Sequence, residues 1–240
     1  MLHKTKGIIL KNTNYRDSST ITHIYTEKFG VQHFIINGVR SQKGAIRPSH
    51  IMPLNLVELV IYKKPNGGIQ QIKELRCSPI LKSIHFHMIK NGIAMFITEL
   101  LNACLQEEEA QEDLFQFLEN FIIVLDYEDA KLANYPSYFM MQLSGYLGFQ
   151  PKGNFEVHQA FNLSEGRFIS EDYAHPYCLD KEHSHWWWKM QHTNLTDWVN
   201  TAIPKSVRNS LLNQLLLYYE LHGLHGRKIK SHEVLKLVLN

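Results

Sequence analysis

The sequence predicts an α+β protein in two parts: a five-stranded OB-like antiparallel barrel over residues 1–78, then a mainly helical domain over residues 79–240. Three observations predict it. Up to residue 76 the chain is made of short β-rich runs separated by turn residues, the punctuation of a small all-β module. Beyond residue 80, apolar residues return at helical spacings. The charge balance changes at the same place: residues 1–80 hold twelve Lys or Arg against four Asp or Glu, and residues 81–150 hold three against ten. Residues 151–240 are near balance, so the formal net charge of +2 conceals a basic head beside an acidic middle.

In order, Lys6–Lys11 reads as a strand and Asn12–Asp17 as a polar link. Ser18–Tyr25, rich in Thr, Ile and Tyr, reads as the second strand, with Glu27–Gly30 as its turn and Val31–Ile36 as the third. Leu54–Lys63 gives a long fourth strand, and Pro65-Asn66-Gly67-Gly68 a hairpin turn before Ile69–Leu75. Five short strands with one long central connection suit a closed barrel, which removes exposed edges and leaves loops for ligands.

After Pro79, the apolar stripe of Ile80–Leu105 predicts helix, with Gly92 a candidate division into two. Glu107-Glu108-Glu109 opens a polar interval read as a solvated charge run. Leu114–Leu125 carries the next stripe, and Ser137–Gly148 reads as a helix closing near Pro151. Residues 151–180 are irregular, with Phe161–Ile169 resembling a hairpin or packing insert. Trp186-Trp187-Trp188 cannot share one helical face, so at least one must pack inward. Pro204 can open a helix over Lys205–Leu221, Gly223 can stop it, and His232–Leu239 forms a last short one.

The candidate site lies in the connection between the third and fourth strands. Gly38–Arg47 places Arg40, Lys43 and Arg47 within ten residues with no acidic residue among them, the charge pattern of a surface that meets phosphate. Lys11 and Arg16 from the first strand and its link, with Lys63 and Lys64, can extend the track along a nucleic-acid backbone. Arg suits bidentate positioning and Lys acts as a flexible point charge; nothing in the segment specifies bases. Tyr15, Phe29, Phe34 and Tyr62 are the aromatics available for base stacking, and alternation must claim some of them for the core.

Other chemistries are weaker. Cys77, Cys104 and Cys178 are widely spaced, which argues against a disulfide framework. His175, Cys178, His183 and His185, with His158 further off, form the most metal-like cluster, yet lack paired CxxC-type knuckles; scattered surface histidines beside a packed cysteine are the favoured reading, and no metal is expected. Cys178 has no orienting group or oxyanion hole in view, and there is no P-loop or GxGxxG, so neither enzyme nor cofactor is expected. The apolar run near residue 93 is interrupted by Glu99 and Asn102, and no hydrophobic leader follows Met1, giving the expectation of a cytoplasmic protein with no membrane association.

Several stretches together resemble the bacterial recombination-mediator and DNA-repair RecO family. They are Ile8-Ile9-Leu10, Asp17-Ser18, Thr26–Gly30, Gly38-Val39-Arg40-Ser41, Pro53-Leu54 with Val57-Glu58-Leu59, Pro65-Asn66-Gly67-Gly68, the Pro136–Pro151 helix and Leu221–Ser231. The resemblance spans essentially the whole chain. It implies an amino-terminal OB domain, a helical domain and a zinc-finger-like insert, here over residues 151–185. It also implies binding of single- and double-stranded DNA, annealing of complementary strands, and RecA loading with RecR on strands covered by single-stranded-DNA-binding protein, whose C-terminal tail such proteins engage. The DNA role carries onto Arg40 and Lys43. Many members have four cysteines bracketing the Phe161–Phe168 type of segment; this chain keeps Phe161, Leu163, Ser164 and Gly166 without those pairs, so the insert is expected to persist by packing without zinc. The alternative is an OB-plus-helical protein-interaction scaffold without direct DNA binding.

Overall fold

The computed structural model describes residues 1–41, 44–64, 67–105, 109–129, 131–155, 159–170 and 176–239. The chain divides into two compact units, Met1–Glu128 and Asp129–Asn240.

The first unit is built on five strands, β1 (Leu2–Tyr15), β2 (Ser19–Thr26), β3 (Gly30–Ile36), β4 (Leu56–Tyr62) and β5 (Gln70–Cys77), closed into a barrel in the order β1-β2-β3-β5-β4. One seam departs from the antiparallel expectation: β3 and β5 pair in parallel at Phe34/Gln70 and Ile35/Gln71. Parity requires it. β3 runs with β1, and β5 does too because β4 lies antiparallel between them.

Period-two alternation sorts the barrel's faces. Ile9, Ile24, Phe34, Ile36, Val57, Leu59 and Ile61 fill the interior. Gly7 belongs there because a Cβ on it would lie 2.6 Å from Ile24 Cγ2, closer than any side chain tolerates. β1 is longer than the sequence reading, since Asn12–Tyr15, read as a link, stays paired with β2 through Tyr15 and Ser19.

Residues 80–87, expected as helix, instead form an irregular turn, and helix α1 (Met88–Cys104) runs unbroken through the buried Gly92. The carboxylate of Asp126, near the end of α2 (Glu112–Tyr127), explains this. It accepts hydrogen bonds from the amides of Lys82 (2.8 Å), Ser83 (2.8 Å) and Ile84 (2.9 Å), satisfying them outside a helix. The fully buried Lys90 donates to Ser83 Oγ at 2.7 Å and to the Asp126 carbonyl at 2.8 Å, completing the clamp.

The second unit contains α3 (Tyr135–Tyr146), the hairpin β6 (Gln159–Asn162) and β7 (Arg167–Ser170), α4 (Lys181–His192), α5 (Leu195–Asn200), α6 (Lys205–His222) and α7 (Ser231–Val238). The sequence reading lacked α4 and α5. Asp180 and Asn194 cap them, their side chains accepting from the amides of His183 and Asp197. Of the three tryptophans, Trp187 is fully buried, and it stacks on Phe161 with ring centroids 5.0 Å apart. Phe161 also meets Phe168 at 5.0 Å and Tyr218 at 5.9 Å, so one aromatic cluster joins the hairpin to α4 and α6. No helix among the described residues is long and apolar enough to cross a membrane.

Two predictions follow from these anchors. Backbone hydrogen bonds hold the Asp126 carboxyl below its usual range even though burial opposes this. A carboxyl depressed by folding stabilises the protein above the unfolded pKa of about 3.9, and that contribution is lost as pH falls toward the folded value. Asp126→Asn is expected to cost about 3 kcal/mol at neutral pH, with the gap to wild type narrowing below about pH 4; urea denaturation at both pH values measures it. Phe161→Ala removes the centre of the aromatic cluster and is expected to cost about 3–5 kcal/mol, read as a lower urea midpoint.

Candidate nucleic-acid interface

The site begins with a bulge. Ile9 faces Ile24 across the β1–β2 ladder, but the next pair is Lys11 with His23, leaving Leu10 as an extra residue. Without the insertion Lys11 would take the inward phase. With it, Lys11 points outward and Asn12 turns in, where it accepts from Thr22 Oγ1 at 2.8 Å and donates to the Ile51 carbonyl at 2.6 Å. The Leu10 carbonyl is taken by Asn102 Nδ2 of α1 at 2.9 Å.

The basic connection is pinned at both ends. Val39 is buried in the barrel core and Ile46 packs partly against it, while Arg40 and Ser41 between them are exposed. Gly38 adopts a positive φ of 72°, and its carbonyl accepts from both the amide and the Oγ of Ser41, each at 3.0 Å. A Cβ on Gly44 would overlap that same carbonyl, which explains glycine there. Lys43 lies outside the described residues, as do Pro65 and Asn66 of the hairpin turn, Glu107 and Glu108 of the charge run, and His158 and His175 of the metal-like cluster.

Arg40 reaches across to the β1–β2 turn. Its Nη2 donates to the Arg16 carbonyl at 2.6 Å and lies 3.4 Å from the Ser19 carbonyl, while its own amide donates to Ser18 at 3.4 Å. Arg16 sits at a positive φ of 51° with its guanidinium 5.1 Å from the Tyr15 ring centroid. The structure therefore brings Arg40, Arg16 and Tyr15 together. Arg47 is exposed where the connection enters a short 3-10 helix, Pro48–Ile51, which is tied to β1 through Asn12. Lys11, Arg16, Arg40 and Arg47 are all exposed, and among the described residues none forms an ion pair; Asp17, exposed in the same turn, pairs with none of them.

The aromatics separate by phase. Phe34 is fully buried, while Phe29 is half-buried beneath the Lys63 ammonium, 4.3 Å from its centroid. Tyr15 and Tyr62 are exposed, and Tyr15 is the one beside the arginines.

Two residues absent from the sequence reading belong to this face. His23 on β2 and His33 on β3 are cross-strand partners with centroids 4.1 Å apart, and Lys11 flanks His23 on β1. Burial lowers the His23 pKa first, with the His33 and Lys11 charges adding to it. Their positions in alternating Thr22-His23-Ile24 and Gln32-His33-Phe34 were a legible signal.

Of the metal-like cluster, the three described members turn to other partners. Cys178 bridges Asn162 in an extended segment, the His183 ring bonds Asp180 at 2.8 Å, and His185 packs on Phe155 at 5.5 Å. Among the described residues no three His, Cys, Asp or Glu side chains are grouped to hold a metal.

Two family models cover most of the sequence: recombination protein O N terminal matches residues 1–79 and recombination protein O C terminal matches residues 85–232. The chain belongs to the RecO family. A DNA repair protein RecO from Christiangramia forsetii is 34% identical over 237 residues, 98% of each chain. Those from Azobacteroides pseudotrichonymphae and Phocaeicola vulgatus are each 31% identical, over 100% and 98% of both chains. The barrel that carries Lys11, Arg16, Arg40 and Arg47 is thus the family's amino-terminal part.

If Arg40 fastens the connection to the turn, Arg40→Gln should speed amide exchange at residues 16–19 and 38–41 while leaving the melting temperature within about 2 °C. Exchange mass spectrometry provides the check.

Proposed function

We propose that this protein is a DNA repair and homologous recombination mediator that binds single- and double-stranded DNA through its barrel, promotes strand annealing, and assists RecA loading together with RecR. The observation that carries the reading is the set of exposed cations on β1, its turn and the β3–β4 connection, which form no ion pair among the described residues, with Arg40 anchored to a backbone carbonyl. Such charges act on phosphate without first breaking an internal pair, and they carry no base code. Lys43 would add a further charge by its place in the sequence. Family membership supports the same role.

The mechanism is physical mediation. Two strands held on one protein meet at raised effective concentration, cations reduce their mutual repulsion, and base pairing supplies the free energy. No covalent step is required of the protein. RecR and the C-terminal tail of single-stranded-DNA-binding protein are the partners the family reading adds, and a cytoplasmic location follows from such a role.

We also assign the β6–β7 hairpin to the zinc-finger-like insert. The residues present do not suit zinc, because the hairpin strands carry no cysteine. The aromatic cluster and the backbone bonds of Leu163 to Tyr177 and Leu179 to Phe161, both 2.9 Å, hold it instead.

The double variant Arg16→Glu/Arg40→Glu is the test. Salt-titrated anisotropy should show single-strand affinity falling about tenfold or more at low salt, with a shallower salt slope, and annealing should fall in parallel. A folded variant with unchanged affinity and slope would reject the assignment and favour a protein-binding scaffold.

A further inference from the structure

We propose that His23 and His33, with Lys11, form a proton-gated phosphate site across β1, β2 and β3, so that this face grips a nucleic-acid backbone more tightly as pH falls. The inference rests on the DNA-binding reading and assigns it a regulatory element.

Geometry carries it. The two rings sit edge to face at 4.1 Å, half-buried on the outer side of the barrel, and Lys11 lies opposite His23 on the neighbouring strand. Neither ring makes a hydrogen bond to the described residues. The three side chains therefore form a row across adjacent strands, about 5 Å apart, which matches the reach of one or two phosphates. Phase supports the placement: Thr22, Ile24, Gln32 and Phe34 on either side of the histidines are buried.

The electrostatic surroundings make the pair responsive. β1 contributes Lys11, and β5 pairs beside β3 through the neutral Gln71. Just before β5, Lys64 Nζ holds the Ile69 carbonyl at 3.1 Å. α2 meets β2 at Tyr25, through Phe115 and the Gln111 carbonyl, and brings Glu112 and Asp113 in its first turn. Neither carboxylate is among the groups acting on His23, where burial leads, then His33 and then Lys11. Without an anion, burial and the neighbouring His33 and Lys11 oppose charge on His23. A phosphate set against the row offsets that opposition, and linkage then requires that binding take up protons and that protons strengthen binding.

The experiment measures binding of a labelled oligothymidine by anisotropy across a salt series at about pH 8 and about pH 6. Wild type should tighten about tenfold at the lower pH, with a salt slope steeper by about 0.7 for each histidine charged. His23→Gln/His33→Gln, with its fold checked by circular dichroism, should lose most of both changes. A pH response equal to wild type would overturn the proposal. Histidine NMR titrations of wild type give a reading independent of the variant: the His23 resonance should titrate at higher pH with oligothymidine than without, and an unmoved midpoint would also overturn the proposal. Absence of any oligothymidine binding by wild type at low salt would instead remove the DNA reading itself, and this inference with it.

Discussion

One inserted residue sets the geometry of the barrel's outer surface. Leu10 interrupts the β1–β2 ladder between Ile9 and Lys11, and every side chain of β1 beyond it changes face. Ile9 remains in the core, Lys11 joins His23 outside, and Asn12 turns in to bind Thr22 and the Ile51 carbonyl. A buried carbonyl left without a ladder partner would cost about 1–3 kcal/mol. Asn102 supplies the partner for Leu10, so α1 contributes to the phase on which the charged face depends.

The same logic governs the β3–β4 connection. Arg40 is presented because the apolar residues near it are not: Val39 goes to the core and Ile46 packs partly against it, while Arg40 and Ser41 are exposed. Arg40 is oriented by carbonyls of the β1–β2 turn rather than by a carboxylate. A carbonyl fixes the guanidinium's position without cancelling its charge, whereas an ion pair would have to be given up before phosphate could bind. Arg76 provides the contrast within the same barrel, since it is bound twice by Glu58, at 2.9 and 2.6 Å.

The strands were legible because alternation and turn residues are local signals. β2, β3 and β4 appear where Thr, Ile and Val recur, and the aromatic split between Phe34 and Tyr15 follows from phase. The bulge was not legible, because Ile8-Ile9-Leu10 is a uniform apolar run and the residue chosen to bulge is decided by Asn55 and Asn102 far along the chain. Residues 80–87 carry a helical stripe, yet three of their amides are claimed by Asp126 more than forty positions away. α4 escaped for the opposite reason: its His, Ser, Trp and Lys composition shows no broad apolar stripe, although the Asp180 cap was visible. At the candidate site, the charge cluster was local and readable; the Arg40–Arg16 contact and the His23–His33 pair depend on which strands become neighbours.

A hairpin of two four-residue strands is marginal on its own, so the stability of β6–β7 must come from its neighbours. Extended segments flank it on both sides: Lys152 pairs with Arg167, and Cys178 with Asn162. Ser184 Oγ of α4 accepts the Phe161 amide at 2.9 Å, extending the backbone support to a helix. Beneath it, aromatic pairs each contribute about 0.5–1.5 kcal/mol beyond their burial, and Phe161 makes three of them, with Phe168, Trp187 and Tyr218. Gly166 completes the arrangement at a positive φ of 66°, where a Cβ would come within 3.0 Å of the Tyr218 hydroxyl. Packing and backbone pairing together restrain this short hairpin, and they make its shape depend on the burial of Phe161.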